Sequence, residues 1–152
     1  NGKVVPHVLE IAFGIDRPVF ALLDLFYRKT GKEEGKTMFA VPYHLAPVDV
    51  AIFPLMKKDG LPELALKVKE ELEQQFVVQY DESGSVGRRY LRAAESGTPY
   101  CVTLDYDSLK HHDVTIRDRD TEQQIRVPIA TLQETIRGLL RDPSTFSAKR
   151  ST

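Results

Sequence analysis

The 152-residue chain carries 21 Lys and Arg against 22 Asp and Glu, a formal net charge of −1 at pH 7. This balance excludes a polycation that binds nucleic acid over its whole surface, so any such site must be a local patch. The length allows one good core, and 41% hydrophobic residues is ordinary for a globular protein. Cys101 is the only cysteine, which excludes an internal disulfide and favours a reducing, cytoplasmic location.

The start of the chain and its apolar runs do not resemble a signal peptide or a membrane-spanning helix. Residues 1–6 lack the basic and apolar regions of a signal peptide, and no apolar run approaches the ~18 residues of a membrane-spanning helix. We therefore expect no membrane partner. Because the chain has no initiator Met and enters an apolar stretch at once, we expect it to be a piece of a longer protein.

Residues 1–30 predict one strand and one helix. The strand covers residues 3–11, Gly14 lies in a turn, and the helix begins at Pro18 and ends at Lys29. This helix is apolar almost all round, so it needs cover on several sides. We expect Phe20, Leu23 and Phe26 to be poorly covered or buried by self-association. Residues 31–46 predict a polar connector with a short extended piece.

From residue 47 onward, strands and helices alternate. Strands are predicted at 48–55, 76–80 and 99–106, with helices at 60–75 and 85–96 between them. Residues 113–120 and 122–128 predict a hairpin, residues 129–142 a third helix, and the stretch after Pro143 a disordered tail within 142–152. Because helical crossovers return each strand in the same direction, the predicted fold is α/β. It is a five-stranded mixed sheet, three parallel strands plus a C-terminal hairpin, with three helices.

An unusually basic helix follows the second predicted strand, within "SGSVGRRYLRAAESG" at residues 83–97. Arg88, Arg92 and Glu95 share one helical face. A second face, expected to pack on the sheet, consists of Gly87, Leu91 and Ala94. Arginine binds phosphate or base edges, and a carboxylate accepts from the amino group of cytosine. The candidate RNA-contacting residues here are Ser83, Ser85, Arg88, Arg89, Arg92 and Glu95. The alternative is a solvated face with a weak Arg92–Glu95 ion pair.

The predicted hairpin carries a second charged cluster, which consists of Arg117, Asp118, Arg119 and Asp120, with Arg126 on the returning strand. One interpretation is a solvated, self-paired loop. The other is a loop whose arginines are oriented for binding by the neighbouring aspartates. No phosphate-loop or dinucleotide-binding motif is present, and the four scattered histidines with one cysteine have no metal-ligand spacing. We therefore expect no metal site and no cofactor in this chain.

Two blocks carry a family resemblance: "GSVGRRY" at residues 84–90 and "TIRDRDTEQQIR" at residues 115–126. Together they are very similar to the C-terminal region of glycyl-tRNA synthetase of the homodimeric class II type. The resemblance covers nearly the whole chain. It implies that residues 47–141 are an anticodon-binding domain of the class IIa type. The implied partners are the anticodon loop of glycine tRNA and the rest of the catalytic domain, in a homodimeric parent enzyme.

The first thirty residues are similar to the end of a class II catalytic domain. "PHVLEIAFGIDR" at residues 6–17 resembles the third class II motif. By that match Arg17 contacts the phosphates of ATP, and Glu10 holds the amino group of glycine. The family has Pro after that Glu, whereas Ile11 follows here. No second motif occurs, so ATP and Mg²⁺ are implied for the parent enzyme, and this chain alone is not expected to be catalytic.

Three alternatives remain at this point. The chain could be the corresponding domain of another class IIa synthetase, although the prolyl, threonyl and histidyl enzymes do not share both blocks. It could be a protein-interaction module that has kept the fold and lost RNA binding. It could also be a doubly wound enzyme that binds a nucleotide or flavin phosphate in the loop at residues 81–86.

Overall fold

The computed structural model describes residues 2–29 and 36–148. Its elements in chain order are α1 (Asp16–Phe26), β1 (Tyr27–Lys29), β2 (Thr37–Phe39), β3 (Val50–Pro54), α2 (Leu61–Leu72), β4 (Val78–Tyr80), α3 (Val86–Glu95), β5 (Tyr100–Leu104), α4 (Tyr106–His111), β6 (Asp113–Asp118), β7 (Gln124–Pro128), α5 (Ile129–Arg141) and α6 (Thr145–Ala148). A 3-10 turn at Tyr43–Leu45 precedes β3. Every strand and helix predicted between residues 48 and 142 is present, with shorter ends.

The main sheet has the strand order β4-β3-β5-β6-β7. β3 pairs in parallel with both β4 and β5, because α2 and α3 return the chain in the same direction each time. β6 and β7 pair antiparallel as a hairpin beside β5. The predicted fold class, three parallel strands plus a C-terminal hairpin, is confirmed.

Two long helices cover one face of this sheet. The side chains that α2 and α5 bury there lie three or four positions apart, as an amphipathic helix requires: Leu61, Ala65, Val68, Leu72, Leu132, Ile136 and Leu139. They pack on alternate strand residues, among them the fully buried Ile52, Val102 and Ile116. Full burial of such a side chain contributes about 1.5–3 kcal/mol. Because most of the buried apolar side chains lie on this face, it holds most of the core. The opposite face carries only α3, over Ala51, Phe53 and Cys101.

The predicted strand at residues 3–11 is wrong. The structure has no strand or helix between residues 2 and 14, and Val4 and Leu9 are 85% and 91% exposed. A strand is stabilised by pairing with a neighbour, and nothing in the described chain offers one to this segment. α1 begins at Asp16, and Tyr27–Lys29 form β1 rather than its last turn. The expected poor cover of α1 is confirmed, since Phe20 is 73% exposed.

The structure contains two helices that the predicted count of three omits. α4 has a capping box, in which the Asp105 carboxylate accepts from the Ser108 amide and the Ser108 hydroxyl accepts from the Asp105 amide. α6 falls in the predicted tail, where Phe146 is buried and stacks on Tyr100 with 6.1 Å between ring centroids. The prediction of disorder is therefore wrong for Thr145–Ala148. Residues 149–152 of that tail and residues 31–35 of the connector lie outside the described residues.

The later part of the predicted connector packs against the sheet domain. β2 pairs antiparallel with β1 and lies against α3. Val41 is buried, and the Tyr43 hydroxyl donates to the Asp118 carboxylate at 2.6 Å. At the end of α3, Gly97 has a φ of +84°, and its Cα faces Phe39 and Val41 so closely that a Cβ would lie 2.8 Å and 3.1 Å from their side chains. Glycine is therefore required there by conformation and by space.

We expect Gly97→Ala to lower the free energy of unfolding by about 3 kcal/mol, through left-handed strain and overpacking together. Gly84→Ala is the matched control. Gly84 also has a positive φ, +72°, but its nearest neighbour would be 3.9 Å from the new Cβ. It should cost only the strain, about 1–2 kcal/mol. Urea unfolding measures both, and equal losses would contradict the close approach of β2 to α3.

Candidate nucleic-acid interface

The hairpin strands leave one sheet face uncovered. In β6 and β7, Val114, Ile116, Ile125 and Val127 point into the core. The alternate residues point to the other face, which α3 does not cover, and we call them the open face: Thr115, Arg117, Gln124 and Arg126. Their register places Arg117 opposite Cys101, at the border of the part that α3 covers. The result is a polar sheet surface beside a basic helix.

Arg117 bridges the open face and α3. Its guanidinium carbon lies 4.7 Å from the centroid of the Tyr90 ring, a cation–π contact. Its Nη2 lies 3.0 Å from the Glu122 carboxylate. The Tyr90 ring is itself fixed by an edge contact with Phe53 and by a 2.6 Å hydrogen bond to Thr103. Arg117 is thus held on a rigid aromatic platform, and 24% of its side chain is exposed.

Arg126, the second arginine of the open face, is paired on both sides. It donates two hydrogen bonds of 2.8 Å to Asp105 and one of 2.7 Å to Asp113. These hydrogen bonds lower the pKa of Asp105 to about 2, and they also lower the pKa of Asp113. Arg126 is therefore neutralised within the chain and offers little charge to a ligand.

The three residues predicted to share a face of α3 do so, but their partners differ. Arg88 is exposed and has no polar partner among residues 2–29 and 36–148. Arg92 donates to the Asp81 carboxylate at 2.5 Å and to the Ser83 carbonyl at 2.6 Å. Glu95 accepts a hydrogen bond from the Thr37 hydroxyl at 2.9 Å, so it is not the partner of Arg92. Arg88 is the least engaged cation of this face.

Arg89 is a structural residue, contrary to its placement among the candidate contacts. Only 3% of it is exposed. It donates to the Pro54 carbonyl at 2.5 Å and to the Gly84 carbonyl at 2.8 Å, which ties the end of β3 to the turn before α3. The buried face of α3 runs through Arg89 and Ala93, and the predicted packing face is wrong, since Leu91 is 37% exposed.

Arg119 is structural as well. Its side chain is 1% exposed and lies beside Asp120, 2.7 Å from Nε to Oδ1. It donates to the carbonyl groups of Gly97 at 2.8 Å, Val41 at 2.9 Å and Phe39 at 3.1 Å. Its Nε, Nη1 and Nη2 atoms each donate to a partner inside the protein, so the main role of Arg119 is structural.

Comparison with known proteins shows which family this chain belongs to. A family model described as an anticodon binding domain matches residues 49–139. The chain belongs to the anticodon-binding domain family. The glycine–tRNA ligase of Rhodopirellula baltica is 47% identical over 135 residues, and that of Thermococcus gammatolerans is 45% identical over 139 residues. These alignments cover 85% and 91% of this chain but 25% and 24% of the relatives, so the chain spans about a quarter of their length.

A solved structure supports the fold of this anticodon-binding domain. The prolyl-tRNA synthetase of Cryptosporidium parvum, described as complexed with halofuginone and AMPPNP, matches with a TM-score of 0.64. The match covers 68% of this chain and 23% of that one, at 22% identity. At this identity the likeness shows the architecture of the sheet and its helices.

The remaining predicted residues are exposed. Ser83 lies in the turn before α3, where its amide donates to Asp81 at 2.7 Å, and Ser85 is the N-cap of α3 without a side-chain hydrogen bond. Glu10 and Arg17 are exposed near and within α1, and neither has a polar partner among the described residues. The predicted roles of these four residues in binding stay predictions.

Two further residues of the anticodon-binding domain, Tyr90 and Glu122, were not singled out from the sequence, and Arg126 was named there only as a member of the hairpin cluster. In the sequence, Tyr90 is one polar residue on a polar helix. Its position one turn before the small residue Ala94 is the signal that places it at the border of the buried face. Glu122 and Arg126 lie in the "TEQQIR" run, where alternation alone assigns Arg126 to the same face as Arg117. Their partners lie too far away along the chain for local spacing to reveal.

The described residues were also searched for a metal site, a membrane-spanning helix and a reactive cysteine. They contain no group of three or more metal-ligating side chains, and none of their helices has the length and apolar character needed to cross a bilayer. Cys101 is buried, and burial raises the pKa of its thiol to about 12, which makes it a poor nucleophile.

The Asp105–Arg126 pair predicts a particular acid dependence of stability. The pKa of Asp105 is about 2 in the folded chain, below the ~3.9 expected when unfolded, so the pair stabilises fully above pH 4. This contribution is lost as the pH falls from about 4 to about 2. Arg126→Gln should therefore cost on the order of 1 kcal/mol at pH 7, after allowance for solvent screening, and clearly less near pH 2, where the Asp105 carboxylate is about half protonated.

Urea unfolding at pH 7, 4 and about 2.5 checks this, with Arg141→Gln as the control for the removal of an exposed charge. Arg141 lies on α5, on the other side of the sheet. If the difference in free energy of unfolding between the wild type and Arg126→Gln is the same at the lowest pH as at pH 7, the stabilising role of the Asp105–Arg126 pair is contradicted.

Proposed function

We propose that this chain is the anticodon-recognising part of a glycine–tRNA ligase, the enzyme that attaches glycine to its tRNA using ATP. The observation that carries the proposal is the 41–47% identity to glycine–tRNA ligases along 84–91% of the chain. The anticodon-domain match lies within that aligned stretch. The parent enzyme would act in the cytoplasm as a homodimer.

The open face supports RNA binding on chemical grounds. Sequence-specific recognition of RNA uses splayed single-stranded bases, which stack on flat side chains and are bonded along their edges. Arg117 on its Tyr90 platform offers a planar cation, and the exposed Arg88, which lies on the same helix as Tyr90, offers an unpaired charge. A net charge near zero is compatible with this role, because few cations are needed when the rest of the ligase holds the tRNA body.

The first thirty residues would complete the catalytic domain of the parent enzyme. Their apolar side chains are solvent-exposed here, among them Val4, Leu9, Phe13 and Phe20. So many exposed apolar side chains indicate a protein partner, and the rest of a ligase would supply one. Arg17 would meet the ATP phosphates and Glu10 the glycine amino group.

Arg88→Ala should weaken binding of a fluorescent RNA hairpin that carries the glycine anticodon loop. We expect a loss of about 1–2 kcal/mol, because Arg88 is free to contact RNA and its removal should not disturb the fold. If the contact is to phosphate, all loop sequences weaken alike and the slope of log affinity against log salt falls by about 0.7. Fluorescence anisotropy at several salt concentrations measures both quantities.

Arg141→Ala is the matched control for this experiment. It removes the same charge from an exposed arginine on α5, on the opposite side of the sheet. We expect it to leave affinity for the hairpin unchanged. If both substitutions weaken binding equally, the attraction is a general charge effect and the proposed surface is wrong.

The chain alone should show no glycine-dependent exchange between ATP and pyrophosphate. Only the stretch that carries Glu10 and Arg17 resembles catalytic-domain sequence, and those side chains are exposed and unpartnered in the described structure. A full-length glycine–tRNA ligase serves as the positive control. If the pure chain exchanges pyrophosphate well above the background measured without glycine, the interpretation of this chain as a non-catalytic, anticodon-binding part is wrong.

A further inference from the structure

We propose that Arg119 is a positioning residue of the parent ligase, which fixes the orientation of the anticodon-binding domain relative to the end of the catalytic domain. The inference rests on the proposed function, because it assumes that the first thirty residues complete that catalytic domain. It adds a role for residues 36–45, which we call the linking segment. Held by Arg119, this segment sets where the acceptor end of the tRNA arrives when the anticodon is bound.

The linking segment is packed against the sheet domain along its length. Two domains of one chain usually move relative to each other unless their interface is large. Here residues 36–40 are half-buried and Val41 is 1% exposed. β2 lies against α3, and the Tyr43 hydroxyl donates to the buried Asp118. The linking segment is therefore held by the sheet domain and is not a flexible tether.

One peptide group of the linking segment bonds to both parts of the chain. The amide of Ala40 donates to the carbonyl of Phe26, at the end of α1, at 2.8 Å. The carbonyl of Phe39, in the same peptide group, accepts from Nη1 of Arg119 at 3.1 Å. In a planar trans peptide the carbonyl and the amide point in opposite directions. A single rigid plane therefore connects α1 on one side to Arg119 on the other.

Arg119 holds the backbone of the linking segment at two points. Nη1 donates to the Phe39 carbonyl, and Nη2 donates to the Val41 carbonyl at 2.9 Å. The guanidinium is a planar fork, so its donors fit these two carbonyls in one arrangement. If the segment slid by one residue, the two donors would lose these acceptors. Because the Arg119 side chain is only 1% exposed, such a loss is costly.

The same guanidinium connects the linking segment to α3. Nη1 of Arg119 also donates to the Gly97 carbonyl, in the turn after α3, at 2.8 Å. The Cα of Gly97 lies so close to the segment that a Cβ would be 2.8 Å from Phe39 and 3.1 Å from Val41. A short series of contacts thus runs from the helix that carries the candidate RNA-binding residue Arg88, through Arg119, to α1.

This series of contacts joins the two places that one tRNA must reach. A tRNA carries its anticodon at one end and its acceptor end at the other, so a tRNA held at its anticodon presents the acceptor end at a place set by the domain orientation. A misplacement of about 1 Å can lower a reaction rate about a hundredfold. Arg119 should therefore affect the transfer of glycine to tRNA. It should not affect glycine activation, which needs no contact with the anticodon-binding domain.

The test is Arg119→Lys in the full-length ligase that carries this segment, with two RNA substrates. One is whole glycine tRNA, and the other is an acceptor hairpin, which has the acceptor end but no anticodon arm. Lysine keeps the charge but has a single nitrogen, so it cannot hold both carbonyls. We expect kcat/KM for whole tRNA to fall about tenfold or more, through misplacement of the acceptor end. Charging of the acceptor hairpin and glycine-dependent pyrophosphate exchange should be unchanged.

The ratio of the two charging rates separates positioning from a loss of stability. Both RNAs are charged by the same enzyme sample, so an unfolded fraction lowers both rates alike and cancels in the ratio. Gly97→Ala keeps every polar group but pushes Phe39 and Val41 away, so it should lower the same ratio. Val68→Ala is the control, because Val68 is buried in α2, which packs on β3, β4 and β5. It should lower the melting temperature and leave the ratio unchanged.

The outcomes distinguish this inference from the proposed function. If the wild-type ligase does not charge glycine tRNA, or charges it no better than the acceptor hairpin, the proposed function fails and this inference fails with it. If the wild type prefers whole tRNA and Arg119→Lys keeps the wild-type ratio, the positioning role is overturned while the proposed function stands. A ratio that falls equally in Val68→Ala also overturns it. So does a tenfold loss of affinity of the Arg119→Lys chain for the anticodon hairpin, because the defect would then lie in binding.

Discussion

The buried guanidinium of Arg119 is the contact on which the arrangement of the other elements depends. It donates to the Phe39 and Val41 carbonyls, at the end of β2 and just after it, and to the Gly97 carbonyl in the turn after α3. Removing it would leave these carbonyls without their charged donor in the interior, which is costly. Because the same residue belongs to the hairpin turn, one side chain fixes β2, α3 and the hairpin relative to one another.

The charged residues from Arg117 to Asp120 have two different roles, because the end of the strand directs some of them into the interior and Arg117 to the open face. Asp118 points inward, where its carboxylate accepts from Tyr43 and from the amide and hydroxyl of Thr121. Arg119 follows it into the interior, and Asp120 lies beside it. Arg117 alone points to the open face, one residue earlier on the alternating strand. The buried aspartate and arginine therefore hold the exposed arginine in position for contact with a ligand.

The fold of residues 48–142 could be predicted because each strand and helix shows its own period of apolar residues and lies beside its neighbour in sequence. The strand at residues 3–11 was predicted wrongly for the same reason: its pattern is apolar, but no strand among residues 2–29 and 36–148 pairs with it. α4 was missed although Asp105 and Ser108 have the spacing of a capping box. At the candidate site, charge patterning found Arg88 and Arg117. It could not separate them from Arg89 and Arg119, because burial of a guanidinium depends on distant carbonyl groups that no local pattern contains.

The two outer strands of the sheet show how a protein can expose the face of a sheet without exposing its edge. β4, at one end of the sheet, has only three residues. β7, at the other end, finishes at Pro128, which has no amide hydrogen to offer, and carries the charged Arg126 at its centre. Short, charged or proline-ended edges resist the addition of a further strand from another molecule. The open face can therefore remain exposed to solvent, while the edge strands resist pairing with strands of other molecules. A ligand on the open face would then contact side chains and not the backbone of the edge strands.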